Sequence, residues 1–240
     1  MVNGVRTVIN ELKTSKMKKS LYIYFIGIAL FLSSCAPEFT RLDQYPGMYE
    51  AKPVTLVILP PINNTSNVDA KELLYTSISY PLIEAGYYVI SPHLTMEMLK
   101  AESAYDAELL IDRDAAIFAQ VFGADAVVFS VINEWTKKGF GIQTKIHYII
   151  KSTKDNSVLF ERTCNLYLDL SSNSSSNSAL GSLIDLTASA VNTAVTKPIV
   201  AARKCNRYVF SDIPRGKYHP DFMNDGEVAA KKKDISVTVR

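Results

Sequence analysis

The sequence predicts an α/β domain built on a mixed β-sheet, and two observations support this class. In the first half, apolar runs alternate with helical patterns in the order β-α-β-α-α-β, which is typical of strands joined by right-handed helical crossovers. In the second half, apolar and polar residues alternate with a period of two before a helical pattern, which predicts a β-hairpin and a long C-terminal helix. The chain has 240 residues, 48% of them hydrophobic, enough for one domain with a sizeable core.

The first 34 residues predict a lipoprotein signal peptide that is not part of this fold. Two lysines precede an apolar run over residues 21–32, which is shorter than the roughly 20 residues of a membrane span. A leucine, two serines and Cys35 end the run and resemble the lipobox of bacterial lipoproteins. Small residues fit the signal peptidase, and the Cys35 thiol can carry a thioether-linked diacylglycerol. Met17, just before the two lysines, is the expected start of translation.

Acylation of Cys35 is expected to anchor the mature chain in a membrane. Stable anchoring needs two or more acyl chains, and lipoproteins of this kind carry a diacylglycerol and a further chain such as palmitate. Ala36, rather than an aspartate, follows Cys35, and resemblance to the sorting rule of enteric bacteria implies the periplasmic face of the outer membrane. Residues 35–52 contain two prolines and scattered charges, so we expect a tether that can extend about 50–60 Å, followed by a single domain over 53–223.

The first half of that domain is predicted from buried strands and helix-end signals. Its first strand is apolar on both faces, which favours a central position in the sheet. Asp69 is a suitable N-cap, Pro81 is expected to kink the helix that follows, and Gly86 and Gly123 are suitable helix stops. The predicted elements are a strand at 54–59, a polar loop at 63–67, a helix at 69–85, a strand at 87–90, a short helix at 95–102, a helix at 112–122 and a strand at 126–132.

The second half is predicted from alternation and then from composition. Between Ile142 and Lys151 the alternate positions hold Gln143, Lys145, His147 and Lys151, which indicates a strand with one solvent-exposed face. A serine- and asparagine-rich stretch is typical of a flexible loop. The predicted elements are strands at 142–151 and 158–170, a loop at 171–178, a helix at 180–199, an extended segment beyond Cys205, and a disordered tail at 224–240.

Four segments of the sequence are similar to a family of bacterial lipoproteins of unknown function, typified by a neisserial surface-antigen candidate. The resemblance covers nearly all of residues 50–220, although serines and asparagines stand where the family often has loop glycines. It implies a fold like the N-terminal domain of TolB, the periplasmic domain of the curli secretion lipoprotein and the lipoprotein activators of peptidoglycan synthases. No catalytic residues are known for the family. The matching segments are 57–65, 80–89, 121–126 and 214–218.

The residues give little support for catalysis, a metal or a cofactor. The histidines, His93, His147 and His219, are far apart and have no cysteine or carboxylate at ligand spacing. No Gly-x-Ser-x-Gly motif is present, and the two prolines after the first strand remove amide donors that a phosphate loop would need. After residue 34 the chain keeps 21 of its 26 basic and 23 of its 24 acidic residues, which argues against a nucleic-acid partner.

Two further sets of residues are candidates for binding or cross-linking. Cys164 and Cys205 remain after lipidation and could form a disulfide in the oxidising periplasm, or stay as two buried thiols. A polar loop after the first strand could bind a ligand or a partner, although such residues more commonly form hydrogen-bonded turns. The loop residues concerned are Asn63, Asn64, Thr65 and Asn67.

These observations favour a non-enzymatic lipoprotein that acts as an accessory of an envelope assembly. Expected partners are the membrane, through the lipid anchor, and other envelope proteins. Because members of the family are often encoded beside a curli-secretion-like lipoprotein, the resemblance implies a link to secretion. Self-association is also open. One alternative is an activator of a peptidoglycan synthase, which would need a long tether, and another is a periplasmic small-ligand-binding domain at the carboxyl ends of the strands.

Overall fold

A computed structural model describes residues 39–102, 107–171 and 193–240, with side chains in the last range from residue 198 onwards. Within these ranges the chain forms one seven-stranded mixed sheet in the order β3-β1-β4-β5-β6-β7, and β2 pairs with β4. The strands are β1 (Thr55–Ile58), β2 (Ile62–Asn63), β3 (Tyr88–Val89), β4 (Ala126–Lys138), β5 (Gly141–Ser152), β6 (Val158–Asp169) and β7 (Asp234–Val239). The helices are α1 (Arg41–Gln44), α2 (Pro46–Ala51), α3 (Asp69–Glu84), α4 (Pro92–Ala101), α5 (Ala116–Phe122) and α6 (Thr193–Phe210), with a 3-10 turn at Ala107–Leu109.

Helices cover the two faces of the sheet to different extents. Apolar residues of α3 and α6 pack on one face, where they join side chains from β1, β4, β5 and β6 in the larger core. Residues of α4 and α5 pack on the other face, over β1 and the first half of β4. This arrangement confirms the predicted α/β class with a mixed sheet. The pairs β1–β3, β1–β4 and β2–β4 are parallel, whereas the pairs β4–β5 and β5–β6 are antiparallel.

The strands follow the apolar patterns closely. Leu56, Val57 and Ile58 of β1 are completely buried, as expected for a strand that packs on both faces. In β5, buried residues alternate with partly exposed ones from Ile142 to Lys151, which confirms the predicted strand with one exposed face. The β4–β5 hairpin extends beyond the predicted strand end, because β4 continues past an irregularity after Ile132.

The helix ends show where local prediction succeeded and failed. Helix α3 runs through Pro81 to Glu84, and Gly86 follows it with φ of 91°. Asp69 is the first helical residue and not the predicted cap; instead Asn67 Oδ1 accepts a hydrogen bond from the Ala70 N–H at 3.1 Å. Gly123 ends α5 in the left-handed conformation, as predicted.

Two of the predicted helix boundaries were wrong. The helix predicted at 112–122 begins only at Ala116, because Asp114 Oδ1 accepts the Ala116 N–H and starts the helix there. Helix α6 does not end before Cys205 but continues to Phe210, and it buries Cys205 and Val209. The loop predicted at 171–178 and most of the helix predicted at 180–199 lie outside the described residues.

The predicted tether was wrong for residues 39–52, which are folded. Thr40 and Asp43 form a reciprocal capping box at the start of α1, and α2 packs against β6. Tyr45 is buried and its ring stacks on Phe160 with centroids 4.8 Å apart. Helix α2 is too short for its apolar residues to show a helical period in the sequence. The burial of this helix depends on contacts with residues more than 100 positions away.

The predicted disorder of residues 224–240 was also wrong. Residues 234–239 form β7, which pairs in parallel with β6 so that Ile235 is opposite Cys164 and Val239 is opposite Leu168. Val237 and Val239 pack against the larger core. The compact unit therefore runs from Phe39 to Arg240 instead of the predicted 53–223.

Candidate anchoring and partner-binding surfaces

Cys35 and the apolar run before it lie outside the described residues, so lipidation at Cys35 stays a prediction. In the ranges that the structure covers, no helix is both long and apolar enough to cross a membrane. The described chain begins at Phe39, whose carbonyl accepts a hydrogen bond from the Ala230 N–H at 2.9 Å. Three residues separate Phe39 from Cys35, and four extended residues span at most about 14 Å.

We call the region around this point the entry end, defined by residues 39–42 and 226–230. These segments run side by side: the Arg41 N–H donates to the Val228 carbonyl and the Leu42 N–H to the Gly226 carbonyl. The chain leads from the entry end to β7 through Lys233, whose carbonyl accepts a hydrogen bond from the Thr163 N–H near the middle of β6.

A buried ion pair fixes the entry end from within. Arg41 Nη1 donates to Asp225 Oδ2 at 2.6 Å, and both side chains are nearly inaccessible to solvent. The Tyr49 hydroxyl and the Arg215 N–H also donate to the Asp225 carboxylate. These donors compensate the negative charge of the buried Asp225 carboxylate. Removing either member of the Arg41–Asp225 pair would leave an unpaired buried charge.

A second buried ion pair lies under the same region. Arg162, in β6, is completely buried, and its guanidinium donates to both carboxylate oxygens of Asp212 and to the Tyr45 hydroxyl. The Lys231 N–H also donates to Asp212, at 2.6 Å. Burial works against ionisation of Asp212, but the hydrogen bonds and charge of Arg162 outweigh it and hold the pKa of Asp212 below its ordinary value.

At the other end of the sheet, the β4–β5 hairpin projects as an exposed tip. We call its turn, Lys138–Phe140, the hairpin tip. It lies beside the end of β6, since the Leu170 N–H donates to the Phe140 carbonyl. The Phe140 side chain is 82% exposed. The part of β6 between Thr163 and the hairpin tip, Thr163–Asp169, spans about 20 Å.

The hairpin tip is supported by a close contact between a glycine and a ring. A Cβ atom on Gly141 would lie 2.3 Å from the Leu168 carbonyl oxygen and 2.7 Å from the Tyr167 ring. The Tyr167 hydroxyl donates to the Lys138 carbonyl at 3.1 Å. The absence of a side chain at Gly141 therefore lets the Tyr167 ring lie across the strand and brace the turn that carries Phe140.

The side of the hairpin opposite the larger core forms an open polar face. His147 Nδ1 lies 3.1 Å from the Thr163 hydroxyl, and its Nε2 lies 3.3 Å from Glu161. The Gln143 amide donates to Asn165. Cross-strand hydrogen bonds of this kind occupy the polar groups, so the face is polar but internally bonded.

The predicted polar loop lies at the carboxyl ends of β1 and β2. The Asn63 carboxamide accepts from the Thr65 N–H and hydroxyl, and its own amide donates to the Asn67 carbonyl. Asn67 caps α3, and Asn64 donates to Asn133 at the base of the hairpin. The structure thus brings the four predicted loop residues together in hydrogen-bonded turns, and their use by a ligand or partner stays a prediction.

Cys164 and Cys205 are brought together in the larger core as free, buried thiols. The Cys205 sulfur lies 3.8 Å from the Thr144 hydroxyl. A hydrogen bond with Cys205 and burial both raise the pKa of the Cys164 thiol, which keeps it protonated at neutral pH. The disulfide between them stays a prediction.

The histidines are dispersed over the described part of the chain. His93 is exposed in α4, His147 is on the open polar face, and His219 Nδ1 accepts from the Asp221 N–H. In the ranges 39–102, 107–171 and 193–240, no group of three or more metal-ligating side chains is close enough to hold an ion.

Sequence reasoning missed both buried ion pairs and the exposed aromatic ring at the hairpin tip. Arg41 and Arg162 are separated from their partners by 184 and 50 residues, so no local pattern could have paired them. Gly139 and Phe140 between two strand patterns are typical of a hairpin turn, and this signal could have located the tip.

Comparisons with known proteins identify the family of this chain. The family model described as "Putative lipoprotein GNA1162-like" matches residues 43–204. The lipoprotein NMB1124/NMB1162 of Neisseria meningitidis serogroup B is 31% identical over 116 residues, which are 46% of this chain and 52% of the relative. The chain therefore spans about half the length of this curated relative.

Two solved structures are similar to parts of this chain. The crystal structure of lipoprotein GNA1162 from Neisseria meningitidis has a TM-score of 0.47 and 23% identity, and covers 56% of this chain and 93% of its own. A PelC dodecamer structure from Paraburkholderia phytofirmans has a TM-score of 0.41 and 13% identity, and covers 69% of this chain and 91% of its own. Because the family model matches well over half of the sequence, the chain belongs to the GNA1162-like family of lipoproteins.

Proposed function

We propose that this lipoprotein is a non-enzymatic accessory of an envelope assembly, anchored through acylated Cys35 to the periplasmic face of the outer membrane. The anchor is supported by the signal-peptide pattern and by the family. The accessory function is supported mainly by one observation, the 82% exposed Phe140 on a braced hairpin tip. An exposed aromatic side chain on a rigid support is suited to fill an apolar pocket on a protein partner.

Two observations support a contact that lies away from the anchor. Phe39 is within about 14 Å of Cys35 along the chain, whereas Phe140 lies beyond the far end of β6. Tethering raises the effective concentration of the hairpin tip near other envelope proteins, so a small contact suffices. The short connection also weighs against an activator that must reach through the cell wall.

The anchor is tested by replacing Cys35 with Ala in cells. We expect the variant to lose its acyl groups and to leave the membrane fraction, because the cysteine is the only site for the thioether-linked diacylglycerol in this proposal. Mass spectrometry of the mature N-terminus measures the acylation directly. A Cys35→Ala protein that still matures and fractionates with membranes would refute the anchor.

The partner contact is tested by placing a photo-crosslinking phenylalanine at position 140 in cells. The matched control is Tyr218, an aromatic residue that is 65% exposed and lies beside Gly86, remote from the hairpin tip. We expect a discrete adduct with an envelope protein from position 140 alone, and we expect Cys35→Ala to abolish it. Equal labelling from both positions, or none from position 140, contradicts the proposal.

A further inference from the structure

We propose that the entry end is a second membrane-binding site, which lies flat on the phospholipid bilayer. The surface consists of Phe39, Leu42 and Val228, and we call it the entry patch. This inference rests on the proposed acylation of Cys35, and it adds a protein surface that contacts the lipid beside the acyl chains.

The entry patch presents three large apolar side chains to solvent. Phe39, Leu42 and Val228 are each close to half exposed. The two segments that carry them are joined by backbone hydrogen bonds, from Arg41 to Val228 and from Leu42 to Gly226. Several large apolar side chains on adjoining segments are typical of an interaction surface.

The length of the connection identifies the occupant. Four residues from Cys35 to Phe39 reach at most about 14 Å. An acylated Cys35 would therefore hold Phe39 and its neighbours at the lipid headgroups, at a depth where apolar side chains typically insert by about 5–10 Å. No protein partner could cover the entry patch without entering this narrow space between the domain and the bilayer.

Because the entry end is held rigidly, contact with lipid at this end would orient the whole domain. Arg41, between Phe39 and Leu42, is held by the buried Asp225 carboxylate at 2.6 Å. Asp225 also accepts the Arg215 N–H, which ties the segment before Val228 to the core. The entry patch is thus presented on a rigid support, so its insertion would set the orientation of the sheet relative to the bilayer.

The exposed charges around the entry patch are balanced. Lys231, Lys232 and Lys233 are exposed, and so are Asp43, Glu227 and Asp234. Lys231 Nζ also donates to the Ser211 hydroxyl at 2.7 Å. The proposed contact with lipid therefore depends on the apolar side chains and not on a net charge.

The test uses the acylated full-length protein in vesicles of phosphatidylethanolamine and phosphatidylglycerol in equal parts. A fluorescent thiol label is attached to Leu42→Cys or, as a matched control, to Leu94→Cys. Leu42 is 44% and Leu94 53% exposed, and Leu94 lies in α4 at the opposite ends of the strands. The native Cys164 and Cys205 are buried and should not react. Lipids carrying a spin label quench any fluorophore that touches the bilayer.

We expect the label at position 42 to be quenched at least about two-fold more strongly than the label at position 94. Equal quenching at both positions in acylated protein would overturn the inference while leaving the anchor intact. Protein without acyl groups by mass spectrometry would instead refute the proposed function.

Discussion

The entry end and the hairpin tip are stabilised in opposite ways. At the entry end, buried ion pairs join residues that are 184 and 50 positions apart. At the hairpin tip, the supporting contacts join neighbouring strands, such as Tyr167 with Gly141 and Lys138. The comparison shows that long-range polar contacts fix the end nearest the predicted lipid, whereas local strand geometry alone presents the exposed aromatic ring.

The largest expected effect is the loss of the Arg162–Asp212 pair. Replacing Asp212 with Asn removes the charge that compensates a completely buried guanidinium, so we expect the free energy of unfolding to fall by about 3–5 kcal/mol. Denaturant unfolding measures this loss. The control is Asp169→Asn, which removes the charge paired with the exposed Arg240 side chain and should cost less than about 1 kcal/mol. Equal costs would contradict the proposed difference between the two ends.

The same pair predicts a pH dependence with a defined sign. The pKa of Asp212 is lowered in the folded protein from its ordinary value of 3.8. Its charge therefore contributes stability that is complete above pH 3.8 and is lost as the pH falls towards the lowered pKa. We expect the stability gap between wild type and Asp212→Asn to narrow in acid below this value. A gap that stays constant down to complete protonation would contradict the assignment.

A smaller effect is expected at the hairpin tip from Gly141→Ala. The added Cβ would overlap the Leu168 carbonyl and the Tyr167 ring, and such overpacking costs about 1–3 kcal/mol. The control Gly123→Ala meets no atom within 4 Å but forces alanine into φ of 64°, which costs about 1–2 kcal/mol. Hydrogen exchange distinguishes them, because only Gly141→Ala should increase exchange in the β4–β5 hairpin.

The smallest effect on stability is expected from Phe140→Ser. The ring is 82% exposed, so its removal should change the free energy of unfolding by no more than about 0.5 kcal/mol. The proposed partner contact should nevertheless be lost, which co-purification from crosslinked cells would measure against Tyr218→Ser. A strongly destabilised Phe140→Ser protein would show that the ring has a structural function instead.

The cysteine pair provides a test that measures oxidation state and not stability. Cys164 and Cys205 are free in the structure, and the predicted disulfide requires oxidation in the envelope. Protein isolated from cells is unfolded in denaturant and alkylated either before or after reduction. If the bridge forms, Cys164 and Cys205 should react only after reduction. If it does not form, both thiols should react without reduction.

The sequence predicted those parts of the fold that depend on local patterns. The burial of β1 and the alternation of β5 follow from apolar periodicity, and Gly123 marks a helix end. By contrast, Arg162 is a charged residue in a strand that contains both polar and apolar residues. Nothing near it in the sequence indicates that Asp212 will neutralise its charge. Strand β7 could have been found, because Ile235, Val237 and Val239 alternate with polar residues.

The candidate surfaces also differ in how far the local sequence predicts them. The Asn63–Asn67 loop was predicted from composition, and most of its hydrogen bonds are local, although Asn64 also donates to Asn133. The entry patch could not be predicted, because Leu42 and Val228 adjoin only after residues 212–231 have folded against the first helices. Tertiary packing, and not propensity, decides where these residues lie.

The hydrogen bonds between residues 39–42 and 226–230 also constrain when the protein can fold. During translation, the first of these segments leaves the ribosome long before the second has been synthesised. The two segments therefore cannot pair until residue 230 has been synthesised, so the backbone groups of the earlier segment stay without these partners until almost the whole chain exists.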